Sequence, residues 1–219
     1  MVLSFFRDGE TGLEKIEQEI ISMLGQARHS FDVAMSTLVS GADADTVGED
    51  VRTTDQSINE AEQRIRRELL VHSAVQGTGD LAQVMGYLLI IKKIERIGDQ
   101  SKNILNLAEE GVRFTDSPDL PELVEARDKV SAAFAETAEI LLDPRDDRIT
   151  EFRAESTELT HEYENRLRAL MHSDRPGRET VPLAMLYRYL KRIVANLAGV
   201  AATVAEPLDR EPPAEDLDE

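Results

Sequence analysis

No cysteine occurs anywhere in the 219 residues. Disulfides, thiolate zinc sites and cysteine nucleophiles are excluded together, so any metal or catalytic chemistry must use oxygen and nitrogen. Long apolar runs are missing too. Stretches such as LLII at 88–91 fall far short of the roughly eighteen residues that mark a membrane span. The opening MVLSFFRDGE passes at once from a short apolar stretch into charge, without the basic start and long apolar core of a secretory signal, and a cytoplasmic location is expected. Basic residues are the minority: 25 Lys and Arg stand against 43 Asp and Glu, for a net charge of −18. With no local basic patch, that field disfavours nucleic acid and anionic lipid surfaces, and it suits cationic or metal partners better. The 4 histidines form no ligand motif, and neither a GxxxxGK[ST] phosphate loop nor a GxSxG elbow is present.

What the chain does contain is helical periodicity. Leu13, Ile16, Ile20, Leu24, Ala27, Phe31, Ala34 and Leu38 advance by threes and fours, which predicts a helix with one buried stripe over 11–40. Thr11 and Glu14 make a capping box at its start, and Gly41 is its stop. Further helices are predicted at 46–75, 80–114, 120–142, 146–173 and 180–206, with Pro182 in the first turn of the last. His72 and His172, near the ends of the second and fifth helices, are expected to act as caps.

Six helices divide into two sets of three. EAEQRIR at 60–66 is matched by EYENRLR at 162–168, each in the middle helix of its triplet, and IIKKIERI at 90–97 is echoed by YRYLKRI at 187–193. Internal duplication is the economical reading. It gives an all-α protein of two tandem three-helix bundles, residues 11–115 and 118–206, followed by an acidic, proline-rich tail at 207–219 that is expected to be disordered.

The third helix carries a polar stripe at spacing four: Glu95, Asp99 and Asn103. Ile90, Ile94, Ile97, Ser101, Ile104 and Ala108 form its core stripe, and the polar row lies a third to a half turn away. Like charges one helical turn apart repel by about 0.2–0.5 kcal/mol unless something positive stands beside them. Two sources of charge are available. Lys92, Arg96 and Lys102 each lie three residues from Glu95 or Asp99, which makes an ordinary solvated face. Alternatively a hard cation such as Mg, Ca, Mn or Fe binds the carboxylates, with Asp55, Asn59 and Glu62 on the second helix completing the shell.

The core IERIGDQSKNI, preceded by DLAQVMGYLLIIKK and by the upstream helix TTDQSINEAEQRIRREL, resembles the PhoU family of phosphate-uptake regulators. The resemblance extends over residues 12–205 and implies tandem three-helix bundles. It implies E/DxxxD motifs that bind divalent or trivalent metal, with Glu95 and Asp99 as ligands and Asn103 a neighbouring auxiliary polar position; Asp55 and Glu62, with Asn59 as an auxiliary group, stand as further ligands on the spacing of the second helix alone. The second half departs from the pattern: LKRIVANLAG at 190–199 puts Lys191, Ala195 and Gly199 at the positions of Glu95, Asp99 and Asn103, so metal is expected in the first bundle only. The resemblance further implies a non-enzymatic, dimeric regulator that couples a phosphate ABC transporter to a sensor histidine kinase. A helical accessory of another phosphate permease and a carboxylate-metal enzyme are the alternatives.

Overall fold

The computed structural model describes residues 12–205. Six helices account for the architecture: α1 (Gly12–Val39), α2 (Ala44–Gln76), α3 (Leu81–Glu109), α4 (Leu120–Leu142), α5 (Asp146–Met171) and α6 (Gly177–Ala205). No strand occurs among the described residues. The capping box at Thr11 and the tail at 207–219 lie outside them.

Helices α1, α2 and α3 pack on one another, as do α4, α5 and α6, and the two sets join through α1 against α4 and α3 against α6. The periodic residues explain why. Every residue of the predicted α1 stripe is buried, and the α3 stripe from Ile90 through Ala108 is buried throughout. One continuous hydrophobic core runs through both sets. Across the join, the rings of Phe31 on α1 and Phe134 on α4 lie 5.7 Å apart in a tilted arrangement. Close to the join on the other side, Gly86 of α3 faces Thr203 of α6, while Gly199 of α6 faces the Lys93 side chain of α3. This pairing makes α3 and α6 antiparallel.

Two boundaries differ from expectation. The third helix stops at Glu109 rather than near 114, because Gly111 adopts φ 86°, a left-handed conformation that reverses the chain. The chain then returns to α1, where the Phe114 N–H donates to the Leu38 carbonyl at 2.8 Å and the Phe114 ring is buried. The last helix starts earlier, at Gly177, so Pro182 sits in its second turn, where the proline has no N–H for the carbonyl one turn back. His72 also differs. Rather than capping, its Nε2 lies 2.9 Å from Asp80 Oδ2, fastening the end of α2 to the start of α3.

Candidate functional site

The site is built where α2 and α3 run side by side, and Gly98 permits their closeness. A Cβ at that position would come within 3.3 Å of Ile58 Cδ1 and 3.8 Å of Asp55 Oδ1. With hydrogen in place of a side chain, the α2 backbone brings Asp55 up to the polar stripe of α3.

Lys102 occupies the space between the stripes. Its Nζ donates to Asp55 Oδ2 at 2.8 Å and to Asp99 Oδ1 at 3.4 Å. Asn59 Nδ2 donates to the same Asp55 oxygen at 3.5 Å. Burial pulls the Lys102 pKa down, but the hydrogen bond and charge of Asp55, together with Asp99, outweigh it and raise the pKa above its ordinary value. The ammonium therefore stays charged and bridges two carboxylates on different helices.

The remaining expected ligands carry cations of their own. Glu62 is buried, and Arg66 Nη2 donates to its Oε1 one turn along α2. Glu95 is nearly buried, with its side chain 15% exposed. Lys92 Nζ approaches Glu95 Oε2 to 2.8 Å, an ion pair without the alignment of a hydrogen bond, so that oxygen is buried with charge compensation alone. Asn103, half-buried on α3, joins none of these pairs.

The stripes thus come together, but not as an ion cage. Among the described residues no three histidine or carboxylate side chains converge on one point that would hold a metal. A hard-cation site needs several oxygens aimed at one centre and a local excess of negative charge. Here four carboxylates are met by Lys102, Arg66 and Lys92. As they stand, these residues do not fit the metal centre that the resemblance implies.

The second bundle also joins its middle and last helices through a lysine and a carboxylate, at other positions of the repeat. Lys191, at the position of Glu95, donates from α6 to Glu164 Oε2 on α5 at 2.8 Å. Glu164 is the counterpart of Glu62 in the matched EYENRLR and EAEQRIR segments. Lys191 and Arg168 together hold the Glu164 carboxyl below its ordinary pKa, with the Lys191 hydrogen bond the larger cause.

Residues 20–108 match the family model of the PhoU domain. No curated protein matches it. Among solved structures it is similar to the crystal structure of PhoU from Pseudomonas aeruginosa, with 22% identity and a TM-score of 0.77, covering 88% of this chain and 95% of that one. The PhoU match falls on α1 through α3, the half that keeps both acidic stripes. No helix among the described residues is long and apolar enough to cross a membrane.

A feature not anticipated from sequence is an open groove between α4 and α5, about 610 Å³ in volume, floored by Phe152 and Leu159. Lys129 and Glu162 pair across it at 3.0 Å, and Arg148 grips Glu136. The acidic periodicity of α5 at 151, 155, 158 and 162 was the available signal for an unpacked helix face.

Proposed function

We propose that this protein regulates phosphate uptake as an adaptor, linking a phosphate ABC transporter to a sensor histidine kinase and holding the phosphate-starvation response off when phosphate is sufficient. The observation that carries this reading is the PhoU-domain match over 20–108 on a chain whose fold follows PhoU along nearly its whole described length. A role in binding rather than catalysis goes with it, because the acidic groups that would serve metal chemistry are engaged by lysine and arginine. Surfaces for partners are available. Leu81, Met85 and Leu89 follow one another by one turn on α3 and stay exposed, and Leu70, Val71 and Val75 are exposed on the adjoining end of α2. A row of exposed apolar side chains on one helix is a usual mark of a protein interface, and it also supports assembly of this chain as a dimer.

The test is a deletion strain of the native cell, complemented with the wild-type gene and assayed for phosphate uptake and for a phosphate-starvation reporter. The reporter is expected to be derepressed in high phosphate and restored on complementation. Unchanged uptake and reporter in the deletion strain would refute the reading. Crosslinked pull-down in high and low phosphate then identifies the partners, and capture of transporter without kinase would reassign the protein to a kinase-free permease.

A further inference from the structure

We propose that lysine ammonium groups are the resident cations of this fold, Lys102 in the first bundle and Lys191 in the second, and that the protein assembles and stays folded without bound metal. This concerns the bundles themselves and holds whichever partners the protein serves.

Three observations converge. First, each bundle joins its middle helix to its last helix by the same device, a lysine from the last helix reaching a carboxylate on the middle one at 2.8 Å: Lys102 to Asp55 and Lys191 to Glu164. Second, the two lysines reach that role by different routes. Lys191 replaces the carboxylate at the position of Glu95, whereas Lys102 comes from a point one turn beyond Asp99 and its counterpart in the second half is Ala198. Two lysines at different positions of the repeat, each ending on a facing carboxylate, meet the same electrostatic requirement twice. Third, every expected carboxylate ligand already has a lysine or arginine within ion-pair distance, with Asp55 and Asp99 sharing Lys102. Arg66 meets Glu62 and Lys92 meets Glu95, so an arriving divalent ion would have to displace protein cations held on the same helices.

The physical consequence is exclusion. An ammonium 2.8 Å from Asp55 occupies the volume an ion would take and repels it, and the covalent tether gives the lysine a local concentration that free metal cannot match.

The test uses the full-length chain, purified without added metal. Metal content is measured by plasma mass spectrometry, and thermal melting is followed with EDTA and with MnCl2. Wild-type protein is expected to carry no stoichiometric metal and to melt at the same temperature in both. Lys102→Gln removes the charge and leaves Asp55 and Asp99 facing an amide oxygen; this variant is expected to melt higher in MnCl2. A site filled at a hundredfold excess over its Kd would raise the melting temperature of a chain this size by about 5–10 °C. Lys191→Glu, which opposes a second carboxylate to Glu164, serves the same purpose in the other bundle should Lys102→Gln fail to fold. Stoichiometric metal in the wild type, with a lower melting temperature in EDTA, would overturn the proposal. So would a folded Lys102→Gln protein as indifferent to MnCl2 as the wild type.

Discussion

Lys102 on α3 donates to Asp55 on α2 at 2.8 Å, and the Asp55 side chain is only 13% exposed. The lysine itself is more open to water, at 37%. Removing it therefore does more than break a surface ion pair, because it leaves a largely buried carboxylate with Asn59 as its remaining partner. Lys102→Met is expected to lower stability by about 1–2 kcal/mol, above the typical exposed pair and below a fully buried one. Urea denaturation of Lys102→Met, Asp55→Asn and the double variant checks this. The double variant should lose less than the sum of the singles, and strict additivity would show that the two residues do not interact.

Gly98 sets the separation of α2 and α3, so a large side chain there should force the helices apart. Gly98→Leu is expected to cost about 2–3 kcal/mol through overpacking against Ile58, which exceeds the roughly 1 kcal/mol of helix propensity it gains. The midpoint of urea unfolding reports the balance. A variant as stable as wild type would mean that Ile58 can move aside without cost.

Phe31 and Phe134 join the two bundles through a shared core, both nearly free of solvent contact. Phe134→Ala should cost about 3–5 kcal/mol, typical of a large aromatic lost from a well-packed interior. Because the core is continuous, unfolding of the wild type is expected to be a single transition by circular dichroism and by calorimetry. Two resolved transitions would show that the bundles unfold independently.

Arg175, between α5 and α6, grips Asp119 at the start of α4 through two hydrogen bonds of 3.0 and 2.7 Å. That fork is the main reason the Asp119 carboxyl is held below its ordinary pKa; burial opposes the shift, and Ser117 adds to it. A folded-state pKa below the unfolded one gives stability that is fully present above the unfolded value, and is lost as pH falls through the folded one. Arg175→Gln is therefore expected to be less stable than wild type by about 1 kcal/mol at pH 6 to 8, since the pair is partly screened by water. The difference should shrink once pH drops below about 4. Urea titrations at pH 7 and pH 3 measure it, and an equal deficit at both would assign the loss to packing rather than charge.

Much of this was legible in one dimension. The threes and fours of Leu13 through Leu38 dictate a helix with one buried face, because only a 3.6-residue period brings those residues together in an apolar core. The repeat of EAEQRIR in EYENRLR, the PhoU-like motif and the position of Lys191 were equally readable, since each is a property of residue order. Sequence also supplied both possible answers to the repulsion between Glu95 and Asp99, a nearby lysine or an ion. It lacked the distance between two helices. Whether Asp55 meets Lys102, whether Lys191 meets Glu164, and whether α4 closes on α5 depend on how cylinders with many permitted rotations and registers settle against a common core. Packing around Gly98 brought the α2 and α3 stripes together, and the tertiary structure put a lysine between them.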